Sequence, residues 1–345
     1  YGNASQPYSF SRKPKKAIAE ARAVIAECIN AEPEEIYFTS GGTESDNWVV
    51  KGSAFSDPDH RAMITSQIEH HAVLHSCAAI ERIGYPVAYL PADEDGRILP
   101  ETLDRYISDR TRLVSVMTAN NEIGTIQDIA RLADIAHAHG AMFHTDAVQA
   151  VGHIPIDVKA LDVDMLSASA HKFNGPRGIG FLYIRKGIEV HPFMDGGGQE
   201  NKNRAGTENT AAIVGMSIAL MNNIKNMMHT SDSIRSLENL LITKLLEAGL
   251  VFRRNGANTL PGLISLSFQN SSGEMLLHRM DLKGICISTG SACDGSNDEI
   301  SHVLQAIHLP DEYAKGTVRI SLGKQNTESD IIKIAESLKQ ILTPK

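Results

Sequence analysis

Helical and strand patterns alternate along the first two-thirds of the chain. Runs with apolar residues at three- and four-residue spacing alternate with short apolar runs bounded by turn residues. This pattern predicts helices at residues 14–30, 43–54, 71–83 and 128–139, and strands at 35–39, 62–66, 87–90, 112–117, 141–145, 165–167 and 179–184. Strands that alternate with helices are typical of an α/β protein, so we expect a mostly parallel sheet covered on both faces.

The last third of the chain has a different pattern. Residues 209–248 read as helical, with a polar break around residues 228–233 that suits a connection between domains. We therefore expect a large domain at residues 1–227 and a smaller α+β domain at 228–345. The pattern in the smaller domain predicts strands at 263–268, 285–288 and 317–321, and helices at 273–280, 298–307 and 328–342.

Composition and charge exclude several classes of protein. The chain has 345 residues, 42% of them hydrophobic, which is enough for a sizeable core, and its net charge is −8 with no basic cluster. We expect no direct nucleic-acid binding. The longest apolar stretches, such as residues 211–220, are too short to span a bilayer, and no leader pattern opens the chain, so we expect a cytoplasmic protein without membrane binding. The four cysteines are scattered, which argues against a disulfide framework.

Three segments place polar chemistry at the ends of predicted strands. The first, Ser40-Gly41-Gly42-Thr43-Glu44, opens a helix, where free backbone N–H groups attract a phosphate, although an ordinary helix-capping turn has the same residues. The second ends a strand with Asp146, which is either a ligand contact or a helix cap. The third places Lys172 in a turn after a strand, where a buried amine can form an imine, although a lone lysine is more often a surface charge.

The combination of the three segments favours pyridoxal 5′-phosphate (PLP). This cofactor needs donors for its phosphate, an acid beside its pyridine nitrogen and an amine for its aldehyde. A phosphate turn, a strand-end carboxylate and a lysine supply these three groups. The sequence therefore predicts a PLP site with Lys172 as its covalent anchor.

A set of longer motifs resembles a known family. Thr-Ser-Gly-Gly-Thr-Glu-Ser-Asp-Asn, Glu-His, Asn-Asn-Glu-Ile-Gly, His-x-Asp-Ala-x-Gln, Ser-x-His-Lys and Gly-Gly-Gly-Gln-Glu occur in this order between about Tyr1 and about Gly323. They are similar to the cysteine desulfurases of the NifS/IscS type, long-loop group, in the class V aminotransferase superfamily. The resemblance implies a fold-type I PLP-dependent transferase, with a mainly parallel seven-stranded sheet in the large domain.

The resemblance also implies roles for individual residues. His70 would stack on the pyridine ring and relay protons, Asp146 would pair with the ring nitrogen, and Gln149 would reach the ring hydroxyl. Asn121 and Arg319 would hold the substrate carboxylate, a bidentate task that suits a guanidinium. A segment that includes Thr207 would come from a neighbouring subunit, so a homodimer is implied. The implied cofactor contacts are Gly42, Thr43, His70, Asp146, Gln149, Ser169, His171, Lys172 and Thr207.

Two of these residues have an ordinary alternative interpretation. His70 lies in Glu69-His70-His71-x-x-x-His75-x-Cys77, which could be read as a metal cluster. Only His71 and His75 have helical i,i+4 spacing and no Glu base lies between them, so we expect no metal. Arg319 could instead be a charge at the edge of a strand.

Cys293 narrows the expected reaction to sulfur transfer. It lies in a run of small and polar residues between a strand and a helix, whereas Cys28, Cys77 and Cys286 lie in apolar patterns and read as core fillers. In the family that this chain resembles, the corresponding cysteine takes sulfur from L-cysteine as a persulfide and leaves L-alanine. Catalysis would rest on Lys172, Cys293 and His70. The acidic Asp294 should raise the pKa of the Cys293 thiol.

The resemblance extends to partners, and two alternatives stay open. The sulfur would go to an acceptor protein, such as an iron–sulfur scaffold, for the assembly of iron–sulfur clusters or the synthesis of another sulfur-containing cofactor or tRNA. One alternative is a PLP-dependent selenocysteine lyase or another β-eliminating class V enzyme, which would not require Cys293. The other is a non-catalytic scaffold for sulfur assembly.

Overall fold

The computed structural model describes residues 2–59, 61–290 and 300–343, so Cys293 and the acidic residues beside it lie outside the described residues. The chain divides into two compact units that are not continuous in sequence. The first unit consists of Tyr1–Leu90, Ile98–Thr118 and Gln127–Asn226, and the second of Pro91–Arg97, Ala119–Ile126 and Met227–Lys345. The two short segments of the second unit have no counterpart in the sequence-based division.

The first unit contains a seven-stranded sheet in the order β1-β7-β6-β5-β4-β2-β3. In this sheet β7 runs opposite to the other six strands, which are parallel to one another, and this confirms the mostly parallel α/β fold. The carboxyl ends of the parallel strands therefore meet at one edge, where open α/β sheets bind ligands. The strands are β1 (Ile36–Thr39), β2 (Ala62–Ser66), β3 (Val87–Leu90), β4 (Thr111–Ser115), β5 (Met142–Asp146), β6 (Met165–Ser169) and β7 (Gly180–Ile184).

Helices lie before β1 and between successive strands from β1 to β5. They are α1 (Arg12–Cys28), α2 (Gly42–Phe55), α3 (His71–Glu81), α4 (Pro100–Tyr106) and α5 (Ile129–Ala138). The sequence pattern did not predict α4, which has seven residues and buries only Thr102 and Leu103. The α2 helix is anchored deep in the unit because Trp48 is fully buried and its indole Nε1 donates to the His191 carbonyl at 3.0 Å. This burial fixes α2 and the turn at its amino end.

The long helix α6 corrects the polar break expected at residues 228–233. It runs without interruption over Thr210–Glu247. Met227, Ile234 and Leu241 are buried at seven-residue spacing, so an apolar stripe continues on one face through the polar stretch. The break was wrong because the polar residues occupy the other faces of an unbroken helix.

The second unit contains a three-stranded antiparallel sheet in the order β10-β9-β8, namely β8 (Phe252–Asn255), β9 (Leu263–Phe268) and β10 (Thr317–Ser321). Its core joins residues of the sheet, such as Leu266 and Val318, to residues of the helices, such as Leu276 and Leu338. This arrangement agrees with the α+β character expected from the pattern, although β8 was not predicted. The helices are α7 (Gly273–Asp281), α8 (His302–Ala306), α9 (Asp311–Ala314) and α10 (Glu328–Leu342).

Two predicted elements of the second unit are wrong in detail. Instead of a strand at 285–288, a single bridge pairs Ser288 with Arg319, and Cys286 is exposed rather than a core filler. The helix expected at 298–307 starts only at His302, because the Ser301 hydroxyl caps it by accepting from the Val303 amide at 3.1 Å. None of the helices in the described part of the chain is long and apolar enough to cross a membrane.

Candidate functional site

The three motifs at the strand ends meet in space within the first unit. A Cβ atom placed on Gly42 would lie 2.5 Å from Cγ2 of Val148, so the turn that opens α2 packs against the residues after β5. A Cβ on Gly41 would lie 3.4 Å from Oγ of Ser169, at the end of β6. A Cβ on Gly180 of β7 would lie 2.7 Å from Cα of Gly41. Glycine is needed at these positions because the turn, the strand ends and the next strand approach too closely for side chains.

This turn has the donors that a phosphate needs. α2 is a 14-residue helix whose amino end starts at Gly42 without a side-chain cap, so its first N–H groups point outward. The Ser169 hydroxyl lies beside the turn and is 2.9 Å from Nδ1 of His171. Thr43 is exposed on the first turn of α2. The predicted phosphate residues are therefore gathered at one place.

Asp146 has the environment expected of a partner for a protonated ring nitrogen. Its carboxylate is buried and accepts from the Val148 amide at 2.9 Å. Burial raises the pKa of Asp146 to about 6, and the positive charge of Lys172 acts in the opposite direction. A buried carboxylate with a raised pKa is stabilised as an anion by a cation. The ring nitrogen of PLP can supply one, so this residue fits the cofactor. Gln149, three residues on, is half-buried.

Lys172 lies in a short 3-10 turn that directly follows β6. The carbonyl oxygen of Lys172 is 2.8 Å from Nε2 of His153, and Asn174 ends the turn in the left-handed conformation with φ of 65°. A Cβ on Gly175 would lie 2.9 Å from the Ala170 carbonyl oxygen, so the turn closes tightly on itself. The backbone on both sides of the half-buried amine is thus fixed, which favours a precise position for a covalent anchor.

His70 caps helix α3 at the carboxyl end of β2. Its Nδ1 accepts from the Ala72 amide at 3.1 Å, an assignment that leaves the proton on Nε2. Nε2 is therefore the ring atom that can donate or move a proton. His71 and His75 stack with ring centroids 5.0 Å apart, and within the described residues no group of three or more His, Cys, Asp or Glu could hold a metal ion.

Glu69 precedes His70 in the Glu-His motif, and the sequence alone indicates no role for it. Glu69 Oε1 accepts from the Ser66 hydroxyl at 2.6 Å and from the Met117 amide at 3.0 Å, which ties the end of β2 to the residues after β4. Burial raises the pKa of Glu69 to about 8. The sequence did contain a signal for Glu69: a carboxylate three residues after a buried strand is itself expected to be buried and must then find hydrogen-bond donors within the fold.

The sequence also did not predict a buried pair close to Asp146, formed by His144 and Asp46. His144 bonds through Nδ1 to the Ser115 hydroxyl at 2.8 Å and through Nε2 to the Ser167 hydroxyl at 3.0 Å. Burial lowers the pKa of His144 to about 3 and raises the pKa of Asp46, which lies 3.8 Å from the ring. Because side chains two apart on a strand share a face, the position of Asp146 also indicated that of His144.

The second unit brings Asn121 and Arg319 together. Nη1 of Arg319 donates to the Asn121 carbonyl oxygen at 2.7 Å. Nε of Arg319 is buried and has no hydrogen-bond partner within residues 2–59, 61–290 and 300–343. An unsatisfied guanidinium N–H costs free energy unless an acceptor reaches it. This feature fits the binding of a carboxylate, as expected for the substrate.

The structure places Thr207 on the surface of the first unit. Three residues earlier, Nε of Arg204 forms an ion pair with Oε1 of Glu44 at 2.8 Å, on the first turn of α2. The Gly206 amide donates to Gln199 Oε1 at 3.2 Å. Thr207 is therefore exposed, next to residues whose positions these contacts fix.

Comparison with known proteins identifies the family. The class V aminotransferase model matches residues 1–334. A cysteine desulfurase IscS of Clostridium botulinum is 46% identical over 99% of this chain and 87% of its own length. A NifS-like protein of known structure superposes with a TM-score of 0.93 at 35% identity, covering 99% of this chain and 92% of that one. SspA, solved in complex with cysteine, superposes with a TM-score of 0.83 at 36% identity, covering 95% and 92%. This chain therefore belongs to the class V aminotransferases and, within them, to the cysteine desulfurases.

Proposed function

We propose that this chain uses PLP to convert L-cysteine to L-alanine and receives the sulfur on Cys293. The observation that carries the proposal is the meeting of the Gly41-Gly42 turn, Asp146 and the Lys172 turn at one sheet edge, in a chain 46% identical to a cysteine desulfurase. The names of the relatives favour this reaction over a selenocysteine lyase or a non-catalytic scaffold.

The residues at the sheet edge would hold the cofactor. Gly42 and Thr43 at the start of α2, with Ser169, His171 and a partner subunit's Thr207, would hold its phosphate. Asp146 would bind the ring nitrogen and Gln149 the ring hydroxyl, and His70 would stack on the ring. Lys172 would bind the aldehyde through Nζ. When bound, the cofactor supplies an electron sink for the carbon that bears the amino group.

Proton movements in this proposal belong to Lys172 and His70. Nζ of Lys172, as a free amine, would take the proton from the substrate Cα. Its short turn keeps the amine in place for this task. His70 holds a proton on Nε2 and has its Nδ1 occupied by the Ala72 amide, so it exchanges protons through one atom.

The sulfur transfer needs no added oxidant or reductant. A new S–S bond forms between Sγ of Cys293 and the sulfur of L-cysteine, while the Cβ–S bond of the substrate breaks. The carbon skeleton gains a proton and leaves as L-alanine, so cysteine and a thiol become alanine and a persulfide. Asn121 and Arg319 would hold the substrate carboxylate during this step, with the buried Arg319 Nε available to donate.

We also propose that the enzyme is a cytoplasmic homodimer that passes its sulfur to an acceptor protein. Exposed Thr207 supports a subunit contact, as do Ile218 and Met221, which are 49% and 46% exposed on one face of α6. The need for a reduced Cys293 thiol supports the cytoplasm, where thiols stay reduced. An iron–sulfur scaffold is the acceptor that the IscS names of the relatives favour.

Incubation of the PLP-loaded protein with L-cysteine tests the proposal, by measurement of alanine, sulfide and the sulfur bound to each cysteine. We expect a persulfide on Cys293, its loss in Cys293→Ala, and wild-type behaviour in the control Cys286→Ala, which removes an exposed thiol. Normal alanine release by Cys293→Ala would contradict the role of this thiol. A protein that gains no visible absorbance with PLP would contradict the cofactor.

A further inference from the structure

A buried carboxylate of the second unit contacts residues on both sides of the segment that carries Cys293. Glu122 is 6% exposed, and its Oε2 accepts from the Ser301 hydroxyl at 2.5 Å. The same oxygen would lie 2.7 Å from a Cβ atom placed on Gly290, and that Cβ would lie 3.3 Å from Cβ of Ser301. Residues 290 and 301 are thus close together in space, with Glu122 against both.

The backbone around Glu122 is held in place by its neighbours. The amides of Glu122 and Ile123 both donate to Oδ1 of Asn120, at 2.8 and 3.0 Å, and Asn120 is fully buried. The Gly124 amide donates to the Asn120 carbonyl oxygen at 3.0 Å, which closes the turn. The carboxylate of Glu122 therefore projects from a turn whose backbone is fixed, so its own position is well defined.

The residues before and after the segment that carries Cys293 are also held by hydrogen bonds. Ser288 exchanges two backbone hydrogen bonds with Arg319 of β10, and Arg319 reaches the carbonyl of Asn121, the residue before Glu122. After the segment, Ser301 caps α8. The turn that contains Asn121 and Glu122 thus contacts Arg319, the proposed carboxylate-binding residue, and also Gly290 and Ser301.

We infer that Glu122 is a positioning residue for Cys293, because its carboxylate packs against Gly290 and accepts from Ser301, and so holds the described residues on both sides of the segment that carries the thiol. This inference rests on the proposed function. It also explains the absence of a side chain at residue 290, since the carboxylate of Glu122 occupies that space. Sulfur attack requires close alignment of the reacting atoms, so loose ends lower the rate of transfer without loss of cofactor or substrate binding.

The test compares Glu122→Ala, Glu122→Gln and Ser301→Ala in PLP-loaded protein, with Glu336→Ala as a control that removes an exposed carboxylate of α10. We expect Glu122→Ala to slow single-turnover persulfide formation on Cys293 by about 10- to 100-fold, with KM and the cofactor absorbance unchanged. Glu122→Gln keeps an oxygen acceptor for Ser301 and should recover most of the rate. The double variant Glu122→Ala/Ser301→Ala should be no slower than Glu122→Ala alone.

Gly290→Ala provides an independent arm of the test. Its new Cβ would displace the carboxylate, so it should slow transfer in the wild type and add little in the Glu122→Ala background, where the space is open. In cofactor-free protein, Glu122→Ala should speed hydrogen exchange of the Val303 amide, which donates to the Ser301 hydroxyl.

The outcomes separate the inference from the proposed function. A wild type that forms no persulfide on Cys293 would overturn the proposed function. A wild type that forms it, with transfer at the same rate in Glu122→Ala, would overturn the positioning role alone. If Glu122→Ala does not fold, Ser301→Ala and Gly290→Ala decide, and wild-type rates in both would overturn the inference.

Discussion

The two regions that contain functional residues are built in different ways. At the cofactor edge of the first unit, Asp146 and Ser169 are the last residues of strands β5 and β6, and backbone pairing within the sheet fixes both. In the second unit, the backbone of Arg319 is paired within β10, but its guanidinium and the Ser301 hydroxyl are oriented by single bonds to the turn at Asn121 and Glu122. Strand pairing tolerates the loss of one side chain better than such a turn does. A substitution at the cofactor edge should therefore remove only the role of the substituted side chain. A substitution in the second unit should also change the positions of the groups that bind the substrate and transfer its sulfur.

The largest expected effect lies at the cofactor edge. Lys172→Ala should lower alanine formation by about 1000-fold and change the visible absorbance of the bound cofactor, because the covalent anchor and the Cα base are one group. Absorbance spectra and alanine assays measure this, with Lys225→Ala, an exposed lysine of α6, as the control. Equal activity in Lys172→Ala and the control would remove the basis of the cofactor assignment.

Arg319→Lys tests the second unit. It should raise KM for cysteine by about 100-fold and leave the cofactor absorbance unchanged. A lysine ammonium cannot both donate to the Asn121 carbonyl and offer the second donor that Nε of Arg319 supplies. Arg253→Lys, on the exposed edge strand of the same sheet, is the matched control. Steady-state kinetics decide the point, and an unchanged KM would mean that the carboxylate binds elsewhere.

Ser169→Ala should have a smaller effect, restricted to the cofactor. The loss of one donor beside the Gly41 turn should weaken PLP binding by about tenfold. This is the low end of the about 1.5–3 kcal/mol that a hydrogen bond to a charged group contributes, because the helix end and His171 remain. Titration of cofactor-free protein with PLP gives the dissociation constant, and Ser56→Ala at the far end of α2 serves as control. A fall in kcat without weaker PLP binding would contradict a role of Ser169 in holding the phosphate.

The smallest expected effect concerns stability against pH at the cofactor edge. Glu69 has a pKa of about 8 in the fold against an ordinary 4.5, so the folded chain retains a proton that the unfolded chain loses, and stability falls as pH rises towards 8. His144, with a pKa lowered to about 3, acts in the opposite sense, but only below its ordinary 6.5. Between pH 6.5 and 8 the contribution of Glu69 therefore predominates over that of His144.

Glu69→Gln keeps the acceptor for Ser66 and Met117 and removes the titration. In cofactor-free protein, it should reduce the loss of unfolding free energy between pH 6.5 and 8 by about 1–2 kcal/mol, as measured by urea unfolding. The exposed Glu101→Gln on α4 should leave the loss unchanged. A Glu69→Gln curve that follows the wild type would mean that Glu69 is ionised in the fold.

The sequence by itself determined the mostly parallel sheet, the strands that lead to Asp146 and Ser169, and the family. Hydrophobic period and strand-end chemistry are local properties, and the motifs around Lys172 are contiguous, so they can be recognised without coordinates. The pattern was wrong where the interior overrode local polarity, as in α6, where the buried stripe through Met227 and Ile234 keeps the helix unbroken.

Only the tertiary structure decided which distant residues meet. Glu122 and Ser301 are 179 positions apart, and nothing in either segment indicates that a hydroxyl will donate to that carboxylate. The same holds for His144 between Ser115 and Ser167, because hydrogen bonds between strands depend on register rather than on sequence distance. Local composition specifies which groups are present, whereas burial forces each polar group to find a partner, and the packing of the whole chain selects that partner.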